Sequence, residues 1–385
     1  MYDELDLTPL FQPLTIGGLT LPNRFVMPAM TRMWCVGGAP TPQLTDYYCR
    51  RAAGGVGLLI TEGCAIDHPT STQNPVLARM DERTVEDWAA CVQAVRAAGA
   101  PMLLQIAHEG AIRQDGGEGP YADYPTLSPS GLVGNGKENG RAATAAELEE
   151  IKDGYVRSAL LAQQAGFAGV EIHAAHGSSL LDQFLWAETN RRMDEYGGPG
   201  MAGRARFPAE VVRAVRQATG TGFVISFRFS QWKEVNYEAR IAETPDELKP
   251  MLDAISDAGA DALHASARRF WKAEWPGSGL GIAGWTKALT GATVIAVGSV
   301  GLDIDVMTNL NNDEAHSTGA AGLKKLLRRF NNREFDLISV GRSLIGDPEW
   351  VEKVRTGRFG DIRMFAKKDL LGDMEMADFN PYAEH

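Results

Sequence analysis

The sequence predicts an α/β fold, a closed (β/α)8 TIM barrel with an N-terminal β-hairpin as floor and a long lid-like insertion after the third strand. Three observations predict it. Short apolar runs bounded by Gly, Pro and Asn alternate with stretches of helical period along the chain. The strand candidates number eight. The run Gly169-Val170-Glu171-Ile172-His173-Ala174-Ala175-His176-Gly177 ends in two histidines, at the end of a strand where parallel barrels carry their chemistry. A chain of 385 residues with 44% hydrophobic residues fits either two ordinary domains or one large barrel with insertions, and the count of eight strands favours residues 1–385 as a single barrel domain.

In order, Leu14 to Pro22 reads as a hairpin turning at Gly17-Gly18, placed to close the barrel floor. Asn23 to Met30 is the first strand candidate, followed by a helix from Gln43 to Ala53. Gly57 to Thr61 is the second strand, Glu82 to Ala98 the second helix and Met102 to Ala107 the third strand. Glu109 to Ala143, rich in Gly, Asn, Pro and Ser, is too long for a routine connection and reads as a lid or substrate-shaping loop. Ile151 to Gly166 has helical period (Ile151, Tyr155, Leu160, Leu161, Ala165) and leads into the histidine strand. A helix at Ala205 to Thr219 precedes a fifth strand, Phe223 to Phe227, which Arg228 closes. A helix at Pro245 to Ala258 precedes a sixth strand, Asp261 to Ala265. Thr293 to Val297 and Asp336 to Val340 complete the count.

The formal net charge of −11 argues against nucleic acid as a partner, because a phosphate-binding surface needs a basic field. Cys35, Cys49, Cys64 and Cys91 form no CxxC pair, so neither a zinc site nor an iron–sulfur cluster is expected, and reduced thiols are the simpler reading. The start MYDELDLTPL lacks the layout of a secretion signal, and no apolar run approaches the ~20 residues of a membrane span. A cytoplasmic protein acting on small molecules, with no membrane or nucleic-acid partner and with room for homo-oligomers, is the expectation.

Gly279-Leu280-Gly281-Ile282-Ala283-Gly284 fits the GxGxxG text but follows an aromatic, charged stretch instead of a strand, and the residues after it look too short for a crossover helix, so it is set aside. The stronger anion candidate is the pair of loops after the last two strands, Val297-Gly298-Ser299-Val300-Gly301 and Val340-Gly341-Arg342-Ser343. Small residues there let backbone N–H groups approach a phosphate, and Arg342 adds charge and a planar donor fork. Arg228, directed inward by strand alternation, implies either a bound anion or an ion pair with Glu62 or Glu171. Gln105 offers an amide that donates and accepts in one plane, as the edge of a heterocycle needs. Trp34, Phe270, Trp271 and Trp275 read as packing.

Over nearly its whole length the chain resembles the old yellow enzymes, flavin-dependent ene-reductases on a (β/α)8 barrel. The likeness runs from LeuPheGlnProLeuThrIleGlyGlyLeuThrLeuProAsnArg, through IleThrGluGly and ValGluIleHisAlaAlaHisGly, to GlyArgSerLeuIleGlyAspPro. Asn190-Arg191-Arg192-Met193-Asp194-Glu195-Tyr196-Gly197-Gly198, with Arg204, Arg206 and Phe207, is similar to the family's structural N-x-R-x-D-E-Y-G-G block. The resemblance implies FMN, tightly and non-covalently held, with Pro28, Ala29, Met30, Thr31, Gly63, Gln105 and Arg228 around its ring and Gly298, Ser299, Val300, Gly341 and Arg342 at its phosphate end. It also implies NADH or NADPH as reductant. His173 and His176 would then hold the carbonyl or nitro oxygen of an activated alkene (enone, nitroalkene or quinone-like acceptor), while the Thr31 hydroxyl tunes the flavin.

The family's HxxHGY or HxxNGY pattern places a tyrosine as proton donor two residues beyond the second ligand position; here that position is Ser178, a shorter and less acidic hydroxyl. Two rival readings follow. One is a metal-dependent hydrolase on the same barrel, using His173, His176 and either His108 or His264. The other is a flavin-binding protein with little turnover.

Overall fold

The structure is a computed structural model that describes residues 5–114, 121–310 and 314–370. Eight parallel strands close into a barrel: β1 Phe25–Met27, β2 Leu58–Ala65, β3 Met102–Ala107, β4 Gly169–His176, β5 Val224–Lys233, β6 Ala262–Ser266, β7 Thr293–Val297 and β8 Leu337–Ser339. Closure is made at β1, where Phe25 registers with Ile338 and Val26 with Leu58. Helices α1 Pro42–Ala53, α2 Val85–Ala97, α3 Ala145–Ala165, α4 Arg206–Thr219, α5 Pro245–Asp257, α6 Ile282–Thr290 and α7 Gly319–Asn331 cross between successive strands, and α8 Trp350–Arg355 follows β8.

The hairpin forms as expected, Leu14–Ile16 against Leu19–Leu21. Ile16 and Leu21 cap an apolar layer of Val26, Leu58, Ile60, Leu103, Val224, Ala262, Ile295 and Leu337 drawn from all around the barrel. This layer plugs the lower half, so a ligand can enter only from above.

Several boundaries differ from the expectation. Helix α3 begins at Ala145, because Thr144 and Glu147 form a reciprocal capping box that fixes the first turn before any apolar residue repeats. Strand β5 does not end at Phe227 but continues to Lys233, placing Arg228 in mid-strand, in register with His173 on β4 and His264 on β6. Its polar continuation tolerates burial because each group has a partner: Lys233 Nζ donates to Asp182 at 2.7 Å, and the Gln231 amide bonds Ala242 and Ile241. Strand β2 likewise runs past Thr61 to Ala65. Ile282–Thr290, judged too short for a crossover, is the crossover helix α6, with Gly281 as its N-cap. Helix α7, absent from the expectation, buries Ala320, Leu323 and Leu326 at three-residue spacing.

The insertion after β3 is folded in its described part. Leu127–Ser128 pairs with Arg141–Ala142, and Leu132–Gly134 with Lys137–Glu138. Arg192 Nη1 donates to Ala143 O at 2.7 Å and Pro129 O at 3.2 Å, so the Asn190–Gly198 block clamps this flap to the body. Its role as a lid is narrower than expected, since among the described residues only Glu109 and Ile112 of the insertion line the barrel cavity.

Candidate active site

The strand ends surround a cavity of about 520 Å³. Strand β4 brings both histidines to it. Alternation along the strand faces Glu171 and His173 inward and would turn His176 away. A register irregularity after Ala174 and a left-handed backbone at His176 (φ 71°) swing that ring back into the mouth. The two ring centroids are 5.7 Å apart. His176 is fixed from three sides: its ring stacks on Trp232 at 4.5 Å, Nε2 lies 2.8 Å from Ser266 Oγ, and its backbone N–H donates to Ser230 Oγ at 2.8 Å. His173 Nδ1 is buried without a hydrogen-bond partner. Burial and the positive charge of Arg228 push His173 down to about 3 and His176 well below its usual range, so both rings are neutral at physiological pH.

Beneath the histidines lies a buried polar layer. Glu171 accepts from Gln105 Nε2 at 2.8 Å, Ser226 Oγ at 3.0 Å and His264 Nδ1 at 2.6 Å. Burial alone would raise this carboxyl, but His264, Arg228 and Gln105 outweigh it and hold Glu171 ionised, at about 2. His264 stays neutral, donating through Nδ1 and facing Ser339 Oγ with Nε2 at 3.2 Å. Arg228 feels the Glu171 charge without forming an ion pair among the described residues; Nη2 reaches Ser266 Oγ at 3.5 Å and Nε has no partner. Glu62, the other carboxylate considered for it, instead accepts from the Arg32 backbone and from Cys35 Sγ at 3.1 Å.

The loops after β7 and β8 form a second basic corner. Gly298 adopts φ 148°, and a Cβ there would sit 2.6 Å from Ala267 O, so no side chain fits. Arg342 ties the loops together, donating to Ser299 Oγ at 3.2 Å, Asn309 Oδ1 at 3.1 Å and Ile304 O. Arg268 and Arg269 approach the Asp305 carboxylate at 2.9 and 3.3 Å, and Arg342 donates to the Asp305 main-chain O at 3.3 Å, so three guanidinium groups meet at this residue. Burial lowers Arg342 to about 10, which keeps it charged at neutral pH.

Every residue that the family resemblance implies for the site lines this one cavity: Pro28, Ala29, Met30 and Thr31 after β1, Gly63 on β2, Gln105 on β3, His173, His176 and Ser178 at β4, Arg228 on β5, Gly298, Ser299 and Val300 after β7, and Gly341 and Arg342 after β8. FMN fits these groups on three counts. The orphaned Arg228 Nε and His173 Nδ1 need partners. A Cβ at Gly63 would stand 3.3 Å from Gln105 Oε1 and intrude on the amide that faces a ring. The arginine corner suits a phosphate.

The ligand set of the rival hydrolase is not assembled, since His108 is buried against Thr70 Oγ1 at 2.9 Å and the Gly110 N–H at 2.9 Å, and His264 serves Glu171. Trp34, Phe270, Trp271 and Trp275 do not line the cavity; Phe270 packs edge-on against Trp271 and Trp275 against Trp285. Sequence reasoning missed Arg268, Arg269, Trp232, Glu234, Thr72 and Glu109, all of which line the cavity or flank its charges. Arg268 and Arg269 follow a strand end as Arg228 was thought to, so the same signal could have found them. Trp232 and Glu234 were hidden by ending β5 too early.

Comparison with known proteins agrees with this geometry. The chain is 33% identical over 368 residues to an NADH oxidase of Thermoanaerobacter brockii, covering 92% of this chain and 52% of that protein. It is 37% identical over 224 residues to 12-oxophytodienoate reductase 7 of Oryza sativa subsp. japonica, covering 55% of this chain and 56% of that one. The chain thus spans about half the length of these curated relatives. Among solved structures, morphinone reductase in complex with tetrahydroNAD superposes with a TM-score of 0.77 at 26% identity, covering 95% of both chains. The old yellow enzyme homologue from Zymomonas mobilis, at 22% identity and a TM-score of 0.77 over 98% of this chain and 99% of that one, shares the fold. With the model of the NADH:flavin oxidoreductase / NADH oxidase family matching residues 9–360, the chain belongs to that FMN-dependent family, the old yellow enzymes.

Proposed function

We propose that the protein takes hydride from NADH or NADPH and delivers it to the β-carbon of an activated alkene, an enone, nitroalkene or quinone-like acceptor. The observation that carries this reading is the convergence of the strand-end residues on one cavity, with two neutral histidines over a buried arginine. FMN held in this cavity would supply the two-electron hydride chemistry that links the nicotinamide to the acceptor.

The residues Pro28, Ala29, Met30, Thr31, Gly63, Gln105 and Arg228 would hold the ring. Arg228 is suited to a negatively charged ring edge because its charge is buried and its Nε has no partner among the described residues. Gly298, Ser299, Val300, Gly341 and Arg342, with Arg268 close by, would hold the phosphate. His173 and His176 each have a neutral imidazole, able to present one N–H to the acceptor's oxygen, and that hydrogen bonding strengthens as negative charge develops there. Trp232 and Ser266 limit the motion of His176, so the donor needs little reorganisation. Ser178 lies in the cavity with its hydroxyl 3.5 Å from Ala175 O.

The test is the visible spectrum of the purified protein. A flavin spectrum should bleach on anaerobic addition of NADH or NADPH and return on addition of an enone or nitroalkene. A colourless protein that takes up no added FMN refutes the reading. A flavin that bleaches but is reoxidised by no activated alkene leaves only a flavin-binding protein.

A further inference from the structure

Reduction of an alkene needs a proton at the α-carbon as well as hydride at the β-carbon, and the Ser178 hydroxyl is a weak acid. Three carboxyl side chains line the cavity: Glu109, Glu234 and Asp305. Asp305 is held ionised between Arg268 and Arg269 in the phosphate corner. Glu234 stands 3.9 Å from His176 Nδ1, and its N–H donates to His176 O at 2.8 Å. Glu109 is placed differently.

It lies two residues beyond β3, and its loop is laced to the turn that carries Ser178. The Gln183 amide donates to Glu109 O at 3.0 Å and to Gly177 O at 3.1 Å, bringing those two main-chain segments to one group. The Leu180 N–H donates to His108 O at 2.7 Å, and the Ala111 N–H to Gln183 Oε1 at 2.9 Å. On the other side the Glu109 N–H donates to Ser71 O at 2.9 Å, next to Thr72. Thr72 Oγ1 accepts the Asn74 N–H at 3.1 Å, and the Thr72 hydroxyl acts to lower the Glu109 carboxyl.

We propose that Glu109 is the acid whose proton reaches the substrate's α-carbon, in place of the tyrosine that Ser178 replaces; this rests on the ene-reductase reading above. The hydride pair forms a C–H bond at the β-carbon, and the π pair moves toward the oxygen held by His173 and His176. The Glu109 O–H bond then breaks as the α-carbon takes the proton, and the carboxylate is reprotonated by water. NAD(P)H is oxidised and the alkene reduced.

The surroundings suit that task. Burial raises the Glu109 carboxyl to about 7, against the Thr72 hydroxyl, Arg113 and Arg79, which lower it. Arg113 belongs to its own loop, and Arg79 grips the Thr72 carbonyl at 2.9 Å. The neighbouring His68, His108, His173 and His176 are kept neutral by burial, and Asp182 is paired with Lys233 at 2.7 Å.

The experiment follows reoxidation of the reduced, FMN-loaded protein by 2-cyclohexenone and by 1-nitrocyclohexene across pH, in wild type, E109Q, E109D and T72V. Wild-type enone reduction should fall as pH rises through about 7. E109Q should lose about 10²-fold on the enone together with that pH limb, lose far less on the nitroalkene, whose nitronate can be protonated in solvent, and be partly rescued by E109D. T72V removes the hydroxyl that lowers the carboxyl and should move the limb to higher pH. Infrared difference spectra should show a carboxylic acid band that titrates near 7 in wild type and vanishes in E109Q, with or without flavin. Wild-type enone rates and an unchanged limb in flavin-loaded E109Q, or an unmoved limb in T72V, overturn the assignment. A wild-type flavoprotein that no alkene reoxidises overturns the underlying reading instead.

Discussion

The floor and the mouth of this barrel are built from the same strands by opposite rules. At the floor, Val26, Leu58, Leu103, Val224, Ile295 and Leu337 point inward with the hairpin residues Ile16 and Leu21 closing an apolar layer. A few residues further along the same strands, the inward positions carry Gln105, Glu171, His173, Arg228 and His264, and two of their polar atoms, His173 Nδ1 and Arg228 Nε, lack partners among the described residues. The floor is an apolar layer with a fixed shape. The mouth stores polar groups whose full set of partners includes something outside the chain. Stability and chemistry are thereby separated along the strand axis, which lets either be perturbed alone.

The largest expected effect that breaks the comparison is at the floor. Leu103→Ala removes a fully buried side chain and should destabilise the fold by about 2–5 kcal/mol in denaturant unfolding, while turnover per bound flavin stays near wild type. At the mouth, His176→Ala should do the reverse, slowing flavin reoxidation by an enone about 10²–10³-fold with a smaller effect on unfolding and on reduction by nicotinamide. Wild-type reoxidation in that variant would remove the histidine pair from the mechanism. Arg228→Lys keeps the charge but not the planar fork; FMN affinity, followed by fluorescence of the released flavin, should weaken by about tenfold, roughly 1.4 kcal/mol.

Acid should also find the mouth before the floor. His173 is held neutral in the fold with its value lowered to about 3, whereas in the unfolded chain it takes a proton near its usual 6.5. Its contribution to stability is therefore present above about 6.5 and is lost as pH falls from there toward 3. Glu171, lowered to about 2 from 4.5, adds a loss that begins only below about 4.5. Thermal unfolding should show Tm falling in that order, and His173→Asn should lessen the earlier part, to which His176, His264, His68 and His108, lowered likewise, also contribute. The smallest effect is expected from Ser178→Ala: with its hydroxyl turned toward Ala175 O, neither enone nor nitroalkene turnover should fall by the ~10² that a lost general acid costs. A large selective loss on the enone would return the donor role to Ser178.

The sequence by itself determined the barrel, the hairpin floor and the lining of the cavity, because each rests on local pattern. Strand period, turn residues and the rule that strand ends face the mouth are enough to bring Pro28, Gly63, Gln105, His173 and Arg342 together. Tertiary structure alone decided the rest. Strand β5 runs on through Ser230, Gln231 and Lys233 because Asp182 and other distant groups satisfy those polar residues, and hydrophobicity along one segment does not register a partner that many residues away supplies. The swing of His176 depends on a left-handed backbone that Ser230 and Trp232 hold in place. Glu109 belongs, by sequence, to a polar insertion like many others; only the packing of neighbouring loops, which hold its main chain through Ser71 and Gln183, buries its carboxyl and brings it to the cavity that Ser178 also lines. Burial and charge are properties of the assembled mouth, so no single stretch of chain encodes them.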